Sequence, residues 1–127
     1  MVVPGNLLYA KTHEWVRFID GKARVGLTDF AQDSLGDIVF FTLPTVGSEA
    51  SVGDAIGEVE SVKAVSEIFA AVGGIISAVN DTLVETPESV NVDPYGIWIF
   101  EIDNATGKEG LMSPGEYEAF CNEEARP

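Results

Sequence analysis

One lysine stands apart from every other base in the chain, at a point where a side-chain amine could be modified. Between Arg24 and Lys108 the sequence contains no Lys or Arg except Lys63, whereas the same span contains fourteen Asp and Glu residues. Two apolar runs of strand length, residues 55–62 and 65–70, flank it. The pattern predicts a β-hairpin with Lys63 at its tip. Since an exposed lysine amine is protonated at pH 7 and a poor nucleophile, Lys63 is better suited to being modified than to catalysis.

The join between these two strands lacks the residues that tight hairpin turns normally use. Residues 62–64 read Val-Lys-Ala, with no Gly, Asn, Asp or Pro to supply a positive φ or a preset turn. A local rule broken at one site is more typical of function than of pure structure. On these residues alone, a solvated turn lysine without a role remains the alternative.

Residues 59–64, Val-Glu-Ser-Val-Lys-Ala, resemble the lipoyl-attachment site of the glycine cleavage system H protein family. Further segments resemble that family in the same order, namely residues 13–16, 26–32, 35–40 and 90–96. The resemblance runs from about Leu8 to Phe120. It implies a mainly β fold, a flattened β-barrel or sandwich of lipoyl-carrier type with short helices and a C-terminal helix.

The resemblance also implies a function, that of a lipoyl-carrying shuttle which is not itself an enzyme. A lipoyl-attachment enzyme would join one lipoate covalently to Lys63. The arm would accept an aminomethyl group from the pyridoxal-phosphate enzyme glycine decarboxylase and present it to the tetrahydrofolate-dependent aminomethyltransferase. Dihydrolipoamide dehydrogenase, with FAD and NAD, would reoxidise the arm. In such a carrier the chemistry belongs to the cofactor, and the protein supplies binding and orientation.

Seven more residues acquire roles from the resemblance. Four match positions that attachment enzymes recognise: Glu60, Ser61, Val62 and Ala64. Three match the cleft that holds the cationic amine of the loaded arm: Thr12, Glu14 and Glu67. Charge-assisted hydrogen bonds to Glu14 and Glu67 would shield the loaded group from water. The sequence departs from the family at Ser34, where some relatives carry His, and at residues 95–98, which form a shorter turn than usual.

Composition excludes several classes of partner and site. The net charge of −14 disfavours nucleic acid and anionic membranes, and it should steer the chain towards partners with basic faces. With one His and one Cys, a zinc site is not expected, and Cys121 cannot form an internal disulfide. No apolar run is long enough to cross a bilayer. We expect a monomer without a metal.

Other readings of the same residues stay open. Biotin carriers usually read Met-Lys-Met and 2-oxoacid dehydrogenase lipoyl domains commonly read Asp-Lys-Ala, whereas residues 62–64 read Val-Lys-Ala. A lipoyl-relay protein of the same family would donate its lipoyl group to other enzymes. An unmodified acidic interaction module would leave Lys63 incidental. The C-terminal residues 116–124 resemble mitochondrial members, which favours the mitochondrial matrix, with bacterial cytoplasm as the alternative.

The elements that must position these residues follow from local patterns. Asp20-Gly21 predicts a type I′ hairpin between strands 15–19 and 22–27. Thr28 and Gly36 bound a short helix, and Ser113-Pro114 opens a C-terminal one. The remaining predictions are a strand at 38–43 buried on both faces, strands at 75–79 and 97–102, a helical turn at 80–90 broken by Pro87, and loops at 46–53 and 104–110.

The chain length and a faint internal repeat predict the number of domains and the arrangement of the sheets. A chain of 127 residues predicts a single domain, 1–127. The resemblance implies that it is a lipoyl-carrier domain, with a core at about 15–102 and a helical extension at about 113–124. Residues 38–60 and 75–101 follow a similar pattern, apolar strand, acidic loop and second apolar strand. Two such halves predict two facing antiparallel sheets joined near the Lys63 hairpin.

Overall fold

The computed structural model describes residues 1–125, so residues 126 and 127 of the predicted domain lie outside the described part. Its strands are β1 (Leu8–Tyr9), β2 (Glu14–Ile19), β3 (Lys22–Leu27), β4 (Ile38–Thr42), β5 (Glu49–Ala50), β6 (Ala55–Ser61), β7 (Val65–Phe69), β8 (Gly73–Val79) and β9 (Phe100–Thr106). Its α-helices are α1 (Asp29–Leu35), α2 (Thr82–Glu85), α3 (Ser89–Val92) and α4 (Pro114–Glu124), and Lys108–Gly110 form a 3₁₀ turn.

Two antiparallel sheets pack face to face. The larger sheet has six strands in the order β1-β2-β3-β9-β8-β5, and the smaller has three in the order β4-β6-β7. One buried cluster joins them, with Val25, Ile76 and Ile102 from the larger sheet and Phe41, Val59 and Ile68 from the smaller. The predicted mainly β sandwich with short helices is therefore confirmed. The two sheets are unequal in size, although the repeat pattern predicted two similar halves.

Both predicted hairpins are present. Between β2 and β3, Asp20 and Gly21 have φ values of 49° and 79°, which is the type I′ geometry that matches the twist of the strands. Strands β6 and β7 form the second hairpin, with Glu60 paired to Val65 at its closed end. Residues 62–64 form the tip, so Lys63 lies where the sequence predicted it.

Strand β4 corrects the prediction of a run buried on both faces. Val39 and Phe40 are 47% and 54% exposed, whereas Ile38 and Phe41 are buried. The strand lies at the edge of the smaller sheet and pairs with β6. Its register shifts between Ile38 and Phe40, which turns two consecutive apolar side chains away from the core.

Helices α1 and α4 begin and end at the predicted residues. Thr28 Oγ1 accepts a hydrogen bond from the Ala31 N–H at the start of α1, and Gly36 ends that helix with a φ of 78°. Ser113 and Glu116 form a capping box at the start of α4. Helix α4 covers β1 through a second buried cluster, which contains Leu7, Tyr9, Trp15, Tyr117 and Cys121.

Four boundaries differ from the predictions. The predicted loop 46–53 contains β5, which pairs with β8 at the edge of the larger sheet. Strand β9 runs later than the predicted 97–102, because Ile97 N–H still bonds the Asp93 carbonyl in the preceding turn. Its far end includes Thr106, which pairs with Gly73, so part of the predicted loop 104–110 is strand. The predicted helical turn at 80–90 is two short helices on either side of Pro87.

Candidate functional site

Ser61 builds the hairpin tip that lacks ordinary turn residues. None of residues 62–64 has a positive φ. Instead, the Ser61 N–H donates to the Ala64 carbonyl at 2.8 Å. The Ser61 hydroxyl oxygen accepts from the N–H groups of Lys63 at 3.3 Å and Ala64 at 3.1 Å. A buried serine hydroxyl therefore supplies the turn chemistry that Asn, Asp or Gly would otherwise supply.

The Lys63 side chain extends from this tip without an anionic partner. Lys63 is exposed, and its amine forms no ion pair with any acidic group of residues 1–125. Its stem lies beside Gly36, where an added methyl group would be 3.5 Å from Lys63 Cε. The backbone behind the lysine is fixed by a hydrogen bond of 3.0 Å from Val62 N–H to the Asp37 carbonyl. The amine can thus be reached from solvent, while hydrogen bonds hold the turn that carries it.

Exposed apolar and acidic side chains surround the lysine on the outer face of the smaller sheet. Phe40, Glu60 and Val65 occupy one cross-strand row, next to the tip. Phe40 and Val65 are 54% and 62% exposed, and Val62 at the tip is 70% exposed. Exposed apolar groups beside carboxylates are typical of a surface that another protein contacts.

A cleft of about 320 Å³ opens beside the hairpin. Helix α1 contributes Phe30 and Ser34 to its lining, the hairpin contributes Ala64 and Glu67, and Thr12 lines it as well. Ala64 is the residue after Lys63, so the cleft begins at the lysine tip. Thr12 and Glu67, which the resemblance assigned to the arm cleft, both line this cavity, and Ser34 lines it too.

Glu14 lies behind the cleft wall and not on it. It is only 1% exposed, at the start of β2, and its carboxyl group accepts a hydrogen bond from the Thr12 hydroxyl. A second, longer bond of 3.4 Å comes from Phe69 N–H. Burial raises the pKa of Glu14 to about 8, although these hydrogen bonds oppose the rise. Thr12 therefore links a buried carboxyl group, largely protonated at neutral pH, to the cavity.

His13 is a residue of the cleft that the sequence did not reveal. It lines the cavity together with Glu124 of α4. Its Nδ1 lies 2.8 Å from the Tyr117 hydroxyl and its Nε2 lies 2.9 Å from Glu124 Oε2. The imidazole stacks on Phe30 with 4.5 Å between ring centroids. A φ of 72° at His13 is uncommon outside glycine and is the kind of strain found at functional sites.

Neither a metal centre nor a membrane span is visible in residues 1–125. No group of three or more His, Cys, Asp and Glu side chains is arranged to hold a metal ion there. None of the helices in this part is long and apolar enough to cross a membrane.

Comparisons with known proteins agree with one another. The family model described as "Glycine cleavage H-protein" matches residues 7–124. A glycine cleavage system H protein of Lachnoclostridium phytofermentans is 49% identical over 125 residues, 98% of either chain. One from Herpetosiphon aurantiacus is 51% identical over 124 residues, covering 97% of this chain and 96% of the relative.

A solved structure has the same fold. The crystal structure of a glycine cleavage system H protein from Mycobacterium marinum superposes with a TM-score of 0.84 at 36% sequence identity. The superposition covers 98% of this chain and 100% of the other.

Proposed function

Because the chain belongs to the glycine cleavage H-protein family, the lipoyl carriers of the glycine cleavage system, we propose that it carries lipoate as an amide on Lys63. The observation that supports this attachment is an exposed lysine without an ion-pair partner in the described chain, held on a hairpin tip beside a cleft. The residues present fit the group, since the amine can be reached from solvent and the cleft can receive an arm.

Attachment needs a deprotonated amine and a partner enzyme that supplies an activated lipoyl group. Lys63 would hold the group through an amide to its Nζ; the activating group of the lipoyl donor would be the leaving group, and the amine would release two protons to solvent. We propose that the attachment enzyme recognises the geometry of the tip, built by Ser61, Val62 and Ala64, together with the carboxylate of Glu60. Glu60 is exposed on β6, on the same face as Phe40.

The bound lipoyl group supplies a strained disulfide for aminomethyl transfer between glycine decarboxylase and aminomethyltransferase, with dihydrolipoamide dehydrogenase as the reoxidising enzyme. The chain's own residues hold and shield the cationic amine between these encounters. Glu67 on the cleft wall offers a carboxylate, and Thr12 offers a hydroxyl group backed by Glu14. We propose that the chain itself is not catalytic.

The acidic surface and the relatives suggest how the carrier meets its partners. A net charge of −14 favours enzymes with basic faces, in a salt-dependent way. We propose a monomer, because successive partners must reach the same tip, and a single carrier domain. The relatives compared above are bacterial, so the mitochondrial matrix expected from residues 116–124 is without support from them. We propose the bacterial cytoplasm instead.

Intact mass spectrometry tests the attachment directly. The protein is incubated with lipoate, ATP and a lipoate–protein ligase, and Lys63→Arg is treated in parallel. We expect one lipoyl amide on the wild type and none on the variant, because Arg cannot form that amide. An unmodified wild type, with the ligase active on a control domain, would contradict the proposal. A lipoylated protein that supports no glycine cleavage with tetrahydrofolate would instead indicate a lipoyl relay.

A further inference from the structure

A half-buried asparagine, Asn91, forms hydrogen bonds with the residues on both sides of Asp37, in the turn that contacts the lysine hairpin. Asn91 Nδ2 donates to the Gly36 carbonyl at 2.9 Å and to Gln32 Oε1 at 3.0 Å. Its Oδ1 accepts from the Ile38 N–H at 2.9 Å. One side chain thus holds helix α1, the end of that helix and the start of β4 together.

That turn is the platform for the hairpin tip. Asp37 lies between the two backbone groups that Asn91 holds, and its carbonyl accepts from Val62 N–H at 3.0 Å. Gly36, on the other side, lies against the stem of Lys63. The sheet register also places Ile38 opposite Ser61, the residue that closes the turn. Residues 36–38 therefore contact Asn91 on one side and the hairpin tip with Lys63 on the other.

We propose that Asn91 is a positioning residue for Lys63: it fixes the 36–38 segment so that the hairpin tip is preorganised for lipoate attachment, given the proposed attachment at Lys63. Asn suits this role chemically. Its amide provides two N–H donors and a carbonyl acceptor at once. The Gly36 carbonyl and Gln32 Oε1 each need a donor, and the Ile38 N–H needs an acceptor. Asp at this position would place a carboxylate against the carbonyl of Gly36 and lose both donors. An Ala would leave the polar groups without partners.

Asn80 provides a matched control. It is half-buried, as Asn91 is, and its side chain also forms three hydrogen bonds. It donates to the Trp98 carbonyl at 2.7 Å and accepts from the N–H and hydroxyl groups of Thr82. None of these contacts involves the 36–38 segment or the hairpin tip. Asn80→Ala therefore removes similar interactions and leaves the lysine platform intact.

The test combines enzyme kinetics with amide hydrogen exchange on Asn91→Ala and Asn80→Ala. Because a lost hydrogen bond is worth roughly a factor of 2 to 12 in an equilibrium, we expect Asn91→Ala to speed exchange at Val62 N–H about tenfold. We expect kcat/KM for lipoylation by the ligase to fall about fivefold or more in Asn91→Ala, since preorganisation of the reacting group is lost. Asn80→Ala should leave both values within about twofold of the wild type.

Equal exchange at Val62 and equal lipoylation kinetics in the two variants would overturn the positioning role, even if both proteins are destabilised. If Asn91→Ala does not fold, native-state exchange of the wild type decides. The hydrogen exchange of the Ile38 and Val62 N–H groups should then show the same dependence on denaturant. Both N–H groups are protected by hydrogen bonds of the segment that Asn91 fixes. Separate opening of Val62 while Ile38 stays protected would overturn the role. Failure of the wild type to accept lipoate would contradict the attachment proposal alone, since the exchange results do not depend on lipoate.

Discussion

His13 Nε2 and Glu124 Oε2 lie 2.9 Å apart, which joins the start of the larger sheet to the end of the C-terminal helix at the rim of the cleft. The two residues are 111 positions apart in sequence. His13 also stacks on Phe30 and contacts the hydroxyl of Tyr117. One imidazole therefore links α1, α4 and the cleft wall.

These contacts predict unequal effects of removing the two partners. His13→Ala loses the Tyr117 bond and the Phe30 stack in a largely buried place, so we expect it to lower the free energy of unfolding by about 1–3 kcal/mol. The half-exposed Glu124 contributes one hydrogen bond that solvent screens, and Glu124→Ala should cost less than about 1 kcal/mol. Urea denaturation measures both changes in the free energy of unfolding, provided that the variants have the same m-value as the wild type. A larger loss for Glu124→Ala than for His13→Ala would contradict this ranking.

Glu14 predicts how stability depends on pH. The folded pKa of about 8 is above the ordinary glutamate value of about 4.3, so between these two values the folded state binds more protons than the unfolded state. The contribution of Glu14 to stability is therefore complete below the unfolded-state pKa of about 4.3. It is lost as pH rises through the folded-state pKa of about 8. In Glu14→Gln this loss is absent. We expect the stability of Glu14→Gln relative to wild type to increase from pH 5 to pH 8 by up to about 1.4 kcal/mol per unit.

Denaturation of both proteins across that range measures the difference, and titration of the Glu14 carboxyl carbon by NMR measures the pKa directly. Other titrating groups are common to the two proteins and cancel. Parallel stability curves, or a Glu14 pKa near its ordinary value, would contradict the assignment of burial as the dominant cause.

Local features were readable from the sequence because each depends on neighbouring residues. Asp20-Gly21 fixes its turn through positive φ values, and the Ser113 cap needs only the residues of its own first helical turn. The hairpin around Lys63 followed from two apolar runs and one isolated base. The resemblance to a family supplied the cleft residues Thr12 and Glu67, which spacing alone could not bring together.

The missed features depend on distant partners. Asn91 forms hydrogen bonds with residues 53 to 59 positions away. The two hydrogen-bonding partners of His13, Tyr117 and Glu124, are 104 and 111 positions away. The burial of Glu14 depends on strands and loops that pack only in the folded chain. For β4, the apolar run was correct, but its place at a sheet edge depends on pairing that no local pattern encodes.

Glu58 and Glu60 allow a matched test of recognition by the attachment enzyme. Both are exposed on β6, two residues apart and on the same face of the smaller sheet. Only Glu60 lies in the row next to the tip. We expect Glu60→Gln to lower kcat/KM for lipoylation about tenfold through loss of a charge-assisted contact, and Glu58→Gln to change it less than about twofold. Equal losses in the two variants would indicate a general effect of charge, which added salt would reproduce in the wild type.

Glu67 should protect the loaded arm. Glu67 and Thr12 both line the cleft beside the hairpin. A cationic amine held there gains a charge-assisted hydrogen bond, whereas the amide of Glu67→Gln offers only a neutral acceptor. We expect the half-life of the aminomethyl-loaded protein in buffer to shorten about threefold in Glu67→Gln, because such a contact is worth about 0.6 kcal/mol at an exposed site. Ammonia release after loading by glycine decarboxylase measures the half-life.

Glu49→Gln is the control for this measurement, because Glu49 is an exposed carboxylate on β5 in the other sheet. Loss of the loaded group at the wild-type rate in Glu67→Gln would mean that the carboxylate does not contact the amine, and similar acceleration in both variants would attribute the effect to net charge.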